Sequence, residues 1–183
     1  LPKTYGAASA SVVALFAVMT KVGFYSICRV FAGIFGNEAG ALANLATPWI
    51  WPLAIATIAI GSVGVYAATS LRSITANMVI VSVGTLLLAF VIDGGQSLFV
   101  GFYYMLHSTI VTGGLFLIAD LIGKQRGIAM DEMVRAQPVN QATLLSGVFF
   151  AFAIAAIGLP PLSGFIGKVL LLQSTSRFAE QVW

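Results

Sequence analysis

The long apolar run from Ala7 to Gly33 contains no acid and carries a lysine, Lys21, near its middle. About 20 apolar residues suffice to cross the hydrocarbon core of a bilayer, so this run has the length of a membrane span. An ammonium halfway across hydrocarbon costs at least ~2.5–3.5 kcal/mol and is normally kept there for a purpose. The pattern recurs. His107, the only histidine, lies inside the run Ser97–Ile122, and Lys168 lies inside the run Phe165–Leu172. Three titratable groups set inside three spans are the pattern of a proton or ion pathway.

Composition narrows the class. Of 183 residues, 59% are hydrophobic and 8% charged, with a mean hydropathy of +0.99. Soluble domains carry about 25% charged residues, and a chain this apolar cannot cover itself with a polar surface. It is therefore read as an all-α, polytopic transmembrane helix bundle in a lipid bilayer. A transmembrane barrel is disfavoured because the apolar runs are continuous rather than alternating. The 13 Phe, 5 Tyr, 3 Trp and 19 Gly suit helical spans, where glycine allows close helix contact. The net charge of +3 comes from residues scattered at span ends and within spans. No basic patch suggests nucleic acid. The single cysteine, Cys28, excludes an internal disulfide and reads as an apolar filler. The chain opens on Leu1-Pro2-Lys3 and stops on Gln181-Val182-Trp183, with no initiator Met and no signal or targeting pattern, so it is expected to be a piece of a longer protein.

Five full spans and a partial sixth are expected in a single transmembrane domain over 1–183, near 7–33, 49–71, 74–92, 97–122, 142–157 and 165–175. Trp49 and Trp51 form an interfacial pair at the start of the second. The connections are a small-residue loop at Asn37–Pro48, the polar knot Thr69–Ser73, a tight turn at Asp93–Gln96 and the long polar stretch Gly123–Gln141. Numbering the connections alternately puts Lys3, Arg72, Lys124, Arg126 and Arg135 on one side. The loops at Asn37–Pro48, Asp93–Gln96 and Gly158–Gly164, on the other side, have no Lys or Arg. The positive-inside rule then makes the first set cytoplasmic.

Lys21, Tyr25 and Arg29 recur at helical i, i+4, i+8 spacing and share one face. A polar stripe on an apolar helix faces protein or water. Desolvation favours the neutral amine, so Lys21 is expected to take up and release a proton near neutral pH. The alternative is a structural lysine held by an acid on another helix. Glu38, Asp93, Asp131, Glu132 and Glu180 all fall at loops or ends, and Asp120 lies near the end of its span, so none is an obvious partner. His107 follows Tyr103 and Tyr104 by one turn and precedes Ser108, Thr109 and Thr112, a set able to order water and relay protons. Its alternative is a neutral histidine bonded to a backbone carbonyl or a tyrosine. No second histidine, cysteine or carboxylate stands at ligand spacing, so no metal is expected. Gly158, Pro160, Pro161 and Gly164 break the helix just before Lys168. Interrupted helices in membranes mark ion or substrate sites, although Lys168 also reads as an interfacial anchor. Arg72 is either an orientation anchor or part of a polar wall with Ser70, Ser73, Thr75 and Asn77. The candidate pathway residues are thus Lys21, Tyr25, Tyr104, His107 and Lys168, with Arg72 as a charged neighbour. No nucleophile elbow, P-loop, dinucleotide fingerprint or HExxH occurs. Neither an enzyme activity nor a cofactor is expected.

Val18-Met-Thr-Lys21-Val-Gly-Phe-Tyr25, followed by Arg29, resembles the lysine-bearing broken helix of the antiporter-like subunits shared by respiratory complex I and the Mrp-type multisubunit cation/proton antiporters. Gly158-Leu-Pro-Pro-Leu-Ser-Gly-Phe-Ile-Gly-Lys168 resembles that family's second broken helix, and Tyr103-Tyr-Met-Leu-His107-Ser-Thr its histidine-bearing helix. The resemblance covers essentially the whole chain as the central third of a longer member. It implies two inverted five-helix repeats with this chain at their seam. It makes Lys21 the central lysine of the first half-channel, His107 the bridge and Lys168 the terminal charged group of the second. Arg72 falls where many complex I members carry a lysine, and Thr112 where some relatives carry another, so one link of the usual row is missing. The glutamate that pairs with the first lysine in the family belongs upstream. The Leu106–Thr109 stretch and Arg72 are most similar to the D-type branch of the proteobacterial Mrp-type antiporter subunits. The function implied is proton translocation in exchange for Na+ or K+ within a hetero-oligomer of membrane subunits in the bacterial inner membrane. The alternative implied is a proton-pumping subunit of NADH:quinone oxidoreductase or a membrane hydrogenase.

Overall fold

The computed structural model describes residues 4–5, 8–36, 39–40, 47–92, 98–135 and 137–182. Lys3, the turn expected at Asp93–Gln96 and most of the loop expected at Asn37–Pro48 lie outside the described residues. The chain is helical: α1 Ala10–Gly33, α2 Thr47–Tyr66, α3 Leu71–Ile92, α4 Leu98–Arg126, α5 Ala142–Ile157 and α6 Ser163–Val182. α1 to α4 are long and apolar enough to cross a membrane.

Helix ends depart from the sequence reading by four residues or more in three places, one of them α6, which runs to Val182 rather than 175. α2 stops at Tyr66 rather than Leu71, and Leu71 and Arg72 instead open α3. α4 runs past Ile122 to Arg126, carrying Lys124 and Arg126 into its last turn, where cations offset the partial negative charge of the exposed carbonyls. The resemblance implied an interrupted helix around Lys21. α1 is instead continuous from Ala10 to Gly33, with no proline within it.

α1, α3 and α4 make the core in two layers. Val13 and Ala17 of α1 meet Ala76 and Val79 of α3 and Phe116 of α4, with Tyr5 packed beside them. Further along, Phe24 and Cys28 of α1 meet Leu86 and Tyr104. The buried thiol of Cys28 is a small apolar filler, as expected. α2 packs on α3 through small residues. A Cβ at Gly84 would lie 2.7 Å from Ile58 and 3.1 Å from the Ala54 carbonyl, an approach only glycine allows. The far side of α2 exposes Trp49, Leu53, Ile60, Val63 and Tyr66, a lipid-like face.

α5 has the expected bounds and 16 residues. At 1.5 Å per residue it reaches about 24 Å, less than the ~30 Å hydrocarbon core. Phe152 sits against Gly114, Ala155 against His107, and, on α6, Gly167 sits against Tyr103 and Tyr104. The contact point on α4 thus retreats steadily as α5 gives way to α6. The two helices run in succession, antiparallel to α4.

Candidate functional site

The interruption exposes carbonyls, and the site is built on them. Gly158 closes α5 in the left-handed region at φ +78°, donating its N–H to Ile154 O at 2.9 Å. In a continuing helix the carbonyls of Ala155, Ala156 and Ile157 would accept from the amides of residues 159, 160 and 161. Leu159 turns its N–H to Ile154 O instead, and Pro160 and Pro161 have none. An unpaired buried carbonyl costs about 1–3 kcal/mol. Side chains supply the missing donors. His107 Nε2 lies 3.1 Å from Ala155 O. Lys168 Nζ donates to Ala156 O at 3.3 Å and to Ile157 O at 2.5 Å. The two prolines thus leave Ala156 O and Ile157 O to Lys168, and the turned amide of Leu159 leaves Ala155 O to His107.

His107 is held on its other edge by Ser163, whose Oγ lies 2.9 Å from Nδ1. Gly164 makes the approach possible: a Cβ there would fall 2.3 Å from Ala155 O and 2.7 Å from His107 Nε2.

Lys21 points into the bundle with 2% of its surface exposed. Its ammonium donates to Ser82 Oγ on α3, and Ser82 donates in turn to Val79 O at 2.8 Å. Among the described residues no carboxylate pairs with Lys21. A chamber of about 340 Å³ opens on the far side of Ser82, lined by Ser82, Thr85, Tyr104, His107, Ser108 and Lys168 among others. At ~30 Å³ per molecule it has room for on the order of ten waters. No acid lines it. The chamber thus brings together Lys168, His107, Tyr104 and the hydroxyl that receives Lys21.

The structure does not gather the whole polar stripe of α1. Tyr25 is exposed, its ring 5.8 Å from that of Phe102, and Arg29 is also exposed. An advance of about 40° per four residues turns each successive member away from the face that Lys21 occupies.

Arg72, expected in a connection, lies in the first turn of α3. Its guanidinium is paired with Asp120 at 2.6 Å, and Asp120 also holds Lys124 at 2.7 Å. The Arg72 backbone N–H donates to the carboxylate of Asp131 at 2.8 Å. Asp131 is buried, its acid capping the start of α3 where free amides and the helix dipole favour an anion. Arg126 gathers the same loop, donating to the carbonyls of Glu132 and Val134. The sequence reading missed Ser82, Ser163, the Asp120 pairing and the Asp131 cap. Ser163 lay inside the quoted helix-break motif, and Asp120 and Lys124 stand at i, i+4 spacing. Only the fold could pair Ser82 with a lysine on another helix.

Residues 1–182 match the family described as NADH:quinone oxidoreductase/Mrp antiporter, TM. The chain is 34% identical over 190 aligned residues to the D subunit of a probable K(+)/H(+) antiporter of Rhizobium meliloti, covering 94% of this chain and 35% of that protein. It is 35% identical over 185 residues to the D subunit of the Na(+)/H(+) antiporter of Bacillus subtilis, covering 98% of this chain and 35% of that protein. The chain thus spans about a third of the length of these curated relatives.

Proposed function

Because this chain belongs to the NADH:quinone oxidoreductase/Mrp antiporter transmembrane family, we propose that it is part of a proton-translocating subunit of a multisubunit antiporter. That antiporter would exchange protons for a monovalent cation, Na+ or K+. It works as a transporter subunit rather than an enzyme, in a hetero-oligomer of membrane subunits in the bacterial plasma membrane. The observation that carries this reading is the chamber, which connects the hydroxyl partner of Lys21 to His107 and Lys168.

The chemistry of each group supports a proton role. An ammonium has three N–H donors. Lys168 commits two of them to Ala156 O and Ile157 O. Loss of one proton leaves an amine with two donors, enough to keep both carbonyls paired. The group can therefore discharge without unmaking the helix break. At the other end, Ser82 both donates and accepts, so it stays bonded whichever way Lys21 is charged. Water in the chamber joins the two ends, with the hydroxyls of Thr85, Tyr104 and Ser108 along its wall. Arg72, paired with Asp120, is a charged neighbour rather than a member of this row.

The full complex in inverted vesicles tests this, with collapse of a pH gradient by Na+ and by K+ compared for the native protein and Lys21→Ala. Loss of cation-driven proton movement in a complex that still assembles is expected. Unchanged exchange by an assembled Lys21→Ala complex overturns the reading. The matched family also covers NADH:quinone oxidoreductase, which supports a second reading as a proton-pumping subunit of a redox-driven complex. Proton movement that follows quinone reduction, with no response to Na+ or K+, selects it.

A further inference from the structure

We infer that Ser163 is a positioning residue for His107. It engages Nδ1, the one ring nitrogen of His107 through which a proton is gained and lost. The inference rests on the reading of this site as a proton path.

The assignment follows from the two ring contacts. Nε2 faces the carbonyl of Ala155 at 3.1 Å. A carbonyl oxygen only accepts, so Nε2 carries its hydrogen whether the ring is neutral or charged. This carbonyl lacks a backbone donor because Leu159 turns its amide to Ile154 O, so the bond is not readily given up. Nδ1 is left as the variable nitrogen, and Ser163 Oγ lies 2.9 Å from it. In the neutral ring Nδ1 has a lone pair, and the serine hydroxyl donates to it. In the imidazolium Nδ1 carries a hydrogen and donates to Ser163 Oγ, whose own hydrogen turns away. Ser163 ends each cycle with the proton it began with, and the added proton resides on Nδ1.

Ser163 is fixed in place for this. Its carbonyl accepts from the Tyr103 hydroxyl at 3.2 Å, and the next residue, Gly164, packs without a side chain against Ala155 O and the ring of His107. His107 also stands in the wall between two spaces. One is the hydroxyl-lined chamber. The other is a groove of about 390 Å³ lined by Tyr103, Leu106, Ile110, Phe152 and Ser163. Among the described residues, the polar side chains of neighbouring helices that line the chamber with His107 are Lys168 of α6, Ser62 of α2, and Ser82 and Thr85 of α3, beside the Ala155 carbonyl of α5. None of them is an acid.

The test uses the full-length subunit labelled with 15N-histidine, with the His107 resonances identified by their loss in His107→Gln. In the native protein Nε2 is expected to be the protonated nitrogen and Nδ1 a hydrogen-bonded acceptor. Ser163→Ala moves the Nδ1 resonance to that of a free acceptor and leaves Nε2 in place. It also lowers antiport by about threefold to tenfold, the worth of one hydrogen bond, and alters its pH profile. Ser163→Thr restores both. A native ring with the hydrogen on Nδ1, or an Nδ1 resonance that ignores Ser163→Ala, overturns the inference. So does antiport with native rate and pH profile in a Ser163→Ala protein whose resonance has moved. If instead the resonances behave as expected while Lys21→Ala antiports normally, the geometry at His107 stands and the transport reading fails.

Discussion

The ion pair between Arg72 and Asp120 should be among the strongest single polar contacts holding α3 to α4. Its side chains are 12% and 17% exposed and meet at 2.6 Å. Breaking a fully buried pair costs about 3–5 kcal/mol, because one charge is left uncompensated, while an exposed pair is worth about 0–1 kcal/mol. This pair is mostly buried but retains some contact with solvent and a second cation, so a cost of about 2–3 kcal/mol is expected. The second cation provides the control. Lys124 binds the other oxygen of the same carboxylate at 2.7 Å, yet its side chain is 73% exposed, so its i, i+4 contact contributes no more than a few tenths of a kcal/mol. A double-mutant cycle separates the two. Arg72→Gln and Asp120→Asn, singly and together, are measured by reversible unfolding of the full-length subunit in mixed micelles. A coupling of about 1.5–3 kcal/mol is expected for Arg72 with Asp120, and below about 0.5 kcal/mol for Lys124→Ala with Asp120→Asn. Equal couplings in the two cycles would refute the burial argument. They would return Arg72 to the role of a solvated anchor at a span end.

Gly164→Ala places a methyl group 2.3 Å from Ala155 O and 2.7 Å from His107 Nε2. Antiport by the full complex is therefore expected to fall at least as far as in His107→Gln, and native activity in Gly164→Ala would show that the break relaxes without cost. Lys168→Arg retains donors for Ala156 O and Ile157 O but cannot release a proton near neutral pH, so it should assemble and fail to transport. Lys168→Met should lower the amount of assembled complex as well, and vesicle antiport normalised to subunit content distinguishes the two.

The membrane architecture was legible because it depends on length and hydropathy, which a sequence displays directly. The four long apolar helices and the break between α5 and α6 follow from one-dimensional pattern. Boundaries were less accessible. The Thr69–Ser73 knot looks like a connection, yet Leu71 and Arg72 belong to α3, because the buried acid of Asp131, far along the chain, caps that helix. Partners were least accessible. A lysine in a span calls for an acid as counter-charge, yet the described partner of Lys21 is the hydroxyl of Ser82, one of many serines in apolar helices. Periodicity also overreached at Tyr25 and Arg29, where i, i+4, i+8 spacing drifts around a straight helix until its last members face outward.

The structural and the functional readings of His107 and Lys168 were posed as alternatives by the sequence, and the helix break removes the opposition. Two prolines delete two amide donors and a turned amide leaves a third carbonyl short. Those carbonyls need donors, and His107 and Lys168 supply them. A hydroxyl could pair one carbonyl, and an arginine could pair several but would keep its charge. Lysine and histidine are the side chains that supply N–H donors in both of their charge states. Residues recruited to satisfy an interrupted backbone are thereby also the ones able to hold or release a proton without letting that backbone go. The coincidence of broken helix and titratable group in this chain is then one physical requirement met once: the break creates the demand for donors, and the donors that meet it can carry protons.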